Sequence, residues 1–240
     1  MELSNLFIRE FKSDWDKIPK HSFLHDIPAV RGIDEFAFEN PVTFFVGENG
    51  SGKSTLIEAL AVAYGFNAEG GTLNYNFSTY AESHELASAI RLTKGIHRPQ
   101  AGYFFRAESF FNVATAAEKK YGKKYGGKRL HTQSHGESFL AFFQEFENRR
   151  GIYIMDEPEA ALSPQRQLTL LLIIAEMAKS GSQFIIATHS PILLGLPEAS
   201  IFSFSNGAVS PVSYEETESY QITKMFFENR NRLFEELFED

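Results

Sequence analysis

Short apolar runs recur along this chain, each closed by glycine, proline or a polar cluster, and longer stretches with helical spacing lie between them. Val42 to Val46 (V-T-F-F-V) is β-branched and aromatic and predicts a short buried strand, as does Gln183 to Ala187 (Q-F-I-I-A). In Gly151 to Pro158 (G-I-Y-I-M-D-E-P) four apolar residues form a strand that ends in two acids. Thr55 to Tyr64 is built of good helix formers and stops at Gly65, while Pro164 opens a helix that runs to about Lys179 and stops at Gly181. Leu6 to Phe11 and Ile33 to Phe38 predict strands that join Val42 to Val46 as a sheet edge, and Gly102 to Arg106 predicts another. A short helix is expected within Glu82 to Leu92 and an amphipathic one over Phe139 to Arg149. Ile201 to Phe204 and Ala208 to Val212 flank Asn206-Gly207, the commonest two-residue hairpin turn. Glu215 to Asp240 predicts two amphipathic helices, whose stripe of Ile222, Met225, Phe226, Leu233, Phe234, Leu237 and Phe238 is expected to pack inward.

Composition narrows the class. A chain of 240 residues suits one large α/β domain or two small ones, and 43% hydrophobic with 22% charged residues is ordinary for a soluble globular protein. There is no cysteine, which excludes disulfides and thiolate metal sites and fits a reducing compartment. The longest apolar run, Leu170 to Ala175, is far short of a membrane span, and the first residues carry no secretory signal pattern, so a cytoplasmic location is expected. A net charge of −8 repels nucleic acid on average. Glu118 to Arg129 is the local exception, with Lys119, Lys120, Lys123, Lys124, Lys128 and Arg129 interleaved with Tyr121 and Tyr125. That run is either a solvated surface or a patch for an anionic partner such as a nucleic-acid backbone.

Four motifs are candidates for chemistry. Gly47-Glu48-Asn49-Gly50-Ser51-Gly52-Lys53-Ser54 reads G-x-x-x-x-G-K-S between a strand and a helix, the context a phosphate-binding loop requires. Glycines let consecutive N–H groups turn around phosphate oxygens, the helix adds its positive end, Lys53 brings a full charge, and the Ser54 hydroxyl is placed to ligate Mg²⁺. Asp156 at the next strand end is the acid expected to hold the metal, and Glu157 to orient or deprotonate water, strand alternation pointing the two to different sides. Thr188-His189-Ser190-Pro191 follows a strand one crossover helix later, so His189 should open onto the same crevice. Ser134 and Gly136, just before the Phe139 helix, serve either as an N-cap or as an anion site.

The ordered set Gly47 to Thr55, Ser134 to Glu137, Ile152 to Glu157, Ala160 to Ser163 and His189 resembles the ATP-binding-cassette class of P-loop ATPases. Within that class it is most similar to small, stand-alone bacterial ATPases with an S-H-G-E signature, often labelled AAA-family. The resemblance implies an α/β P-loop fold with a mixed-sheet core, a small helical subdomain and an N-terminal antiparallel β part. It implies a single domain over residues 1–240, in which 1–80 and 150–212 form the nucleotide-binding core, 81–149 the helical and signature subdomain, and 213–240 the C-terminal helices. ATP and Mg²⁺ would be the cofactors, held by Glu48, Asn49, Gly50, Ser51, Gly52, Lys53, Ser54 and Thr55 with Ser54 and Asp156 on the metal. Glu157 would be the general base and His189 the switch at the γ-phosphate. Ser134, His135, Gly136 and Glu137, standing where the family has S-G-G-Q, would reach the nucleotide of a second copy in a head-to-tail homodimer closed by ATP, with Ala160 to Ser163 along the interface. The family's glutamine after the strand of Gly102 to Arg106 has no match, Glu108 lying nearest and Gln100 preceding the strand. Lys53 and Ser134 are too close for the long coiled-coil arm of chromosome-maintenance relatives.

The implied activity is a soluble ATPase turning ATP and water into ADP and phosphate and moving an unknown partner. A transporter's nucleotide-binding subunit, a nucleic-acid-associated switch and a P-loop kinase are the alternatives. Arg31 or a nearby aromatic is a candidate adenine contact.

Overall fold

The computed structural model describes residues 5–73, 84–107, 139–140, 143 and 149–238. Its centre is a seven-stranded mixed sheet in the order β10-β9-β3-β8-β7-β6-β4. These strands are β3 (Val42–Gly47), β4 (Gly71–Thr72), β6 (Ala101–Arg106), β7 (Gly151–Asp156), β8 (Gln183–Ala187), β9 (Ser200–Ser205) and β10 (Ala208–Pro211). Five of them, β9, β3, β8, β7 and β6, run parallel, and β10 and β4 close the two edges antiparallel. Phe45 and Asp156 both pair with Ala187, and Arg106 pairs with Asp156, so the carboxyl ends of these strands lie level. In open parallel sheets that rim is where ligands bind.

Alternation along the central strands sends side chains to two cores. Phe45, Ile152, Ile154, Ile185 and Ala187 face α2 (Lys53–Tyr64), whose Leu56, Ile57 and Leu60 are buried against them. Phe44, Tyr153, Met155, Phe184 and Ile186 face the opposite way, with Leu170, Ile174 and Met177 of α4 (Pro164–Lys179) and Leu193 and Leu194 of α5 (Pro191–Leu194). Each such side chain contributes roughly 1.5–3 kcal/mol on burial, so the runs unbroken in apolar character are those covered on both faces. The remaining helices are α1 (Pro28–Arg31), α3 (His84–Ala89) and α6 (Glu218–Phe238). Phe139, Leu140 and Phe143 are helical; Phe139 and Phe143 are buried in the second core.

The structure departs from the sequence expectations in two places. First, β1 (Ile8–Ser13) and β2 (Glu35–Ala37) do not extend the β3 sheet but pair with β5 (Ile90–Lys94) in a separate antiparallel sheet, order β2-β1-β5. Phe36 explains why: its ring packs edge-on against Phe45 at 5.6 Å and Phe202 at 4.7 Å, so the small sheet lies across the large one rather than beside it. The buried Gln183 amide joins them, accepting from Phe7 N–H and Ile8 N–H and donating to the Ile8 carbonyl, each at 2.8 Å. The short helix expected within Glu82 to Leu92 is present as His84–Ala89, and from Ile90 onward the chain pairs with β1. β5 and β6 carry the sheets on through residue 106.

As expected, Glu218–Phe238 comprises two helical segments, which meet at a kink at Asn229 (φ −124°, ψ 19°) and together are called α6. Second, most of the apolar stripe of α6 does not pack inward: Ile222, Met225, Phe226 and Phe234 are 40–53% exposed and Phe227 is 75% exposed. The hairpin turn is as expected, Asn206 (φ 51°) and Gly207 (φ 73°) both adopting the left-handed geometry that this turn needs.

Candidate functional site

The loop between β3 and α2 wraps the start of the helix. Gly50 (φ 80°) faces open space, and Gly52 (φ 99°) caps α2 where a Cβ would stand 2.5 Å from Val30 Cγ2 and 2.6 Å from Ile27 Cγ2. Gly52→Ala is therefore expected to cost about 2 kcal/mol, from left-handed strain and from pushing α1 away. A fall in the urea midpoint at unchanged slope would register it.

Lys53 is 4% exposed, and its ammonium donates to the Gly47 carbonyl at 2.7 Å and the Glu48 carbonyl at 2.8 Å. Burial pushes its pKa below the usual value, and the carboxylates of Glu157, Asp156 and Glu159 pull it back up. Ser54, one residue on, donates its hydroxyl to Asp156 Oδ1 at 3.0 Å. Two hard oxygen donors from different elements thus meet at the strand rim, and that is the donor chemistry of a Mg²⁺ site completed by phosphate and water. No cluster of three or more His, Cys, Asp or Glu able to hold a metal occurs among the described residues, so these two oxygens are the fit. The charge balance agrees, since three carboxylates around one ammonium would repel a polyphosphate unless a cation came with it.

Beyond Asp156 the chain turns sharply. Glu157 takes a left-handed conformation (φ 48°, ψ 54°), so it leaves the strand instead of continuing the alternation expected of it. A non-glycine residue held there is strained, and such strain concentrates at functional sites. Its Oε1 lies 3.7 Å from His189 Nε2. His189 follows β8, the strand inserted between β3 and β7, so sheet spacing alone brings imidazole, acid and loop to one rim.

Glu159 went unnoticed in the sequence. Its buried Oε1 accepts from His189 N–H at 2.6 Å, and burial raises its pKa against the bonds that hold it down. Ser190, next in the chain, donates to Gln167 Oε1 at 2.6 Å, and Gln167 donates to the Leu162 carbonyl at 3.1 Å. The turn after Asp156 and the turn after β8 are thereby held as one frame. The only sequence signal was a third carboxylate in D-E-P-E, two residues past Glu157. His189 Nε2 and Glu159 Oε2 are buried without a hydrogen-bond partner, and buried polar atoms of that kind call for a polar ligand.

A cleft of about 450 Å³ opens over the loop, lined by Gly47 to Ser51, Thr188 and His189 below and by Ile27, Pro28, Asn206 and Glu218 above. Its size suits a small-molecule site. Ser54 and Thr55 instead border a second cleft of about 300 Å³ with Glu58 and Arg106. The loop residues Glu48 to Thr55 therefore divide between two clefts, with Gly52 and Lys53 buried between them. Arg31 does not line either cleft; its guanidinium sits 4.7 Å over the Trp15 ring, so the adenine contact suggested for it is not supported. Ser134, His135, Gly136 and Glu137, Glu108, and the basic run Lys119 to Arg129 lie outside the described residues.

A family profile described as an AAA domain matches residues 24–233. The L-arabinose transport ATP-binding protein of Geobacillus stearothermophilus is 27% identical over 191 residues, 68% of this chain and 36% of that protein. The ribose import ATP-binding protein of Yersinia pestis is 27% identical over 184 residues, 67% of this chain and 36% of that protein. The hemin import ATP-binding protein of Streptomyces coelicolor is 26% identical over 179 residues, 68% of this chain and 64% of that protein. The chain thus spans about a third of the length of the two sugar-transport relatives. Among solved structures, cbiO1 from Clostridium perfringens, part of the transporter complex cbiONQ, gives a TM-score of 0.49 at 17% identity, covering 94% of this chain and 97% of that one. The SMC head domain from Thermotoga maritima gives 0.47 at 16% identity, covering 87% and 99%.

Proposed function

We propose that the chain, which belongs to the AAA-domain family whose profile spans residues 24–233, is a P-loop ATPase of the ATP-binding-cassette type that binds ATP with Mg²⁺ at the strand rim and hydrolyses it to ADP and phosphate. The observation that carries this is the meeting of Ser54 with Asp156 at 3.0 Å and of Glu157 with His189 at 3.7 Å beside one glycine-rich loop.

In this proposal the loop N–H groups and the positive end of α2 hold the phosphates. Lys53 exchanges its carbonyl partners for the outer phosphates. Ser54 and Asp156 would hold Mg²⁺, which when bound offsets phosphate charge and orients the terminal group. Glu157 orients a water and takes its proton, and His189, facing it, contacts the γ-phosphate. Glu159 keeps the His189 backbone in place. Its replacement by Ala is expected to lower kcat about 10- to 100-fold with little change in KM, since a small misplacement of a reacting group is that costly. Glu159→Gln, which retains an acceptor oxygen, should recover most of the rate in the same steady-state assay.

Two copies would close head-to-tail on ATP, each offering Ser134 to Glu137 to the other, as the resemblance to the ATP-binding-cassette class implies. The test is direct: ATP and Mg²⁺ with the purified chain should yield free phosphate, and EDTA should stop it. Transfer of label to a small acceptor instead of water would replace this reading with a kinase. One finding favours a second role, because all three relatives above are named as transport or import ATP-binding proteins. As an importer's nucleotide-binding subunit the chain would need a separate membrane partner, no helix of the described residues being long and apolar enough to cross a bilayer. Co-purification with an integral membrane protein would support that role; recovery only in complexes free of one would remove it.

A further inference from the structure

The hairpin end of the larger cleft carries no residue that the hydrolytic reading uses. That reading sets the terminal phosphate between Asp156 and His189, at the ends of β7 and β8, and both strands lie on one side of β3. The cleft of about 450 Å³ extends to the other side, across the loop to β9 and the turn at Asn206 and Gly207. Ribose and base therefore belong on the β9 side, between α1 and the start of α6. A Cβ on Gly207 would stand 3.0 Å from Pro28 Cβ, so the hairpin tip rests against α1 and closes that end. The walls there suit a flat uncharged heterocycle. Ile27 and Pro28 supply apolar surface, no lysine or arginine lines the cleft among the described residues, and Asn206 and Glu218 supply polar groups. Neither of those two side chains makes a hydrogen bond among the described residues, so both are available to a ligand.

We propose that this end of the cleft is a purine pocket that selects adenine, with Asn206 and Glu218 reading the edge of the base; the proposal rests on the nucleotide reading above. A side-chain amide pairs twice with adenine, its oxygen accepting from the N6 amino group and its N–H donating to N7. A carboxylate only accepts, so Glu218 can take the second N6 hydrogen but faces a repelling acceptor where guanine carries O6. Discrimination thus falls on one atom of the base, the substituent at position 6. Both readers are held in place. Asn206 (φ 51°) belongs to the tight turn that joins β9 to β10, where Ser205 pairs with Ala208. Glu218 follows the short turn Tyr214–Glu216, which Ser213 and Glu216 cap reciprocally. There the Tyr214 hydroxyl donates to the Pro191 carbonyl at 2.9 Å, and the Thr217 hydroxyl donates to the Tyr214 carbonyl at 2.7 Å. Pro191 stands two residues beyond His189, so the base-reading acid and the imidazole are fastened to one segment, and groups held in this way need little ordering when the ligand arrives.

Calorimetric titration with ATP, ITP, GTP and inorganic tripolyphosphate, each with Mg²⁺, tests the pocket. ITP carries an oxygen in place of the 6-amino group, and GTP adds an amino group at position 2. The parent should bind ATP about 10-fold or more tighter than ITP and GTP. Glu218→Gln, whose amide can turn an N–H toward O6, should remove most of that preference. Asn206→Asp keeps a residue that tolerates the left-handed turn but loses the donor to N7, and it should weaken ATP about 10-fold. Neither variant should alter the affinity for tripolyphosphate, which has no base, and that readout separates a base contact from a general loss of structure. Parental binding of ITP as tight as that of ATP, GTP preferred over both, or variants that lose ATP and tripolyphosphate together would each overturn the proposal. The two readings fail separately. Equal affinity for all three nucleotides with phosphate release leaves hydrolysis standing without base selection, whereas selective ATP binding without phosphate release leaves the pocket standing without hydrolysis.

Discussion

Glu157→Gln is expected to reduce ATP turnover by about 10²- to 10⁴-fold while leaving ATP binding intact, the range a positioned general base supplies. The side chain keeps its size and one acceptor oxygen but cannot take a proton, so ground-state contacts persist and the chemical step fails. Glu157 stands in a left-handed turn immediately after Asp156, and Gln tolerates that backbone no worse than Glu, so folding is not at issue. A second readout follows from the proposed closure. Light scattering with ATP should show the variant accumulating as a long-lived dimer, whereas the parent cycles back. A variant hydrolysing at the parental rate would remove Glu157 from the base role.

Lys53→Ala should weaken ATP binding by about 100-fold or more, measured by titration calorimetry. The reason lies in the charge around it. Removing the ammonium leaves Asp156, Glu157 and Glu159 uncompensated at the point where the phosphates must sit, and the Gly47 and Glu48 carbonyls lose their donor. Because Lys53 is buried, thermal unfolding of the variant should be recorded beside the titration. A folded variant that binds ATP like the parent would place the nucleotide elsewhere.

The parts legible in the sequence were those whose cause is local. A β-branched run, three glycines and a stretch of helix formers give β3, the loop and α2 without any distant contact, and Asn206-Gly207 gives its hairpin in the same way. Asp156 and His189 were found because each ends an apolar run, and parallel pairing then sets them side by side. Distant packing decided the rest. Phe36 chose a face of the large sheet over its edge, and Ile90 became a strand because β1 was there to pair with. Glu157 left the alternation since its φ is set by the turn beyond it, and Glu159 became visible only once His189 stood beside it. The α6 stripe has the spacing of a core helix but little among the described residues to lie on, a distinction that periodicity alone does not make.

Gln183 adds a mechanical consequence. Its amide grips the backbone of β1 at the start of the five-residue strand β8, and His189 lies two residues past the other end of that strand. The N-terminal sheet and the turn that carries His189 are thus tied to opposite ends of one central strand.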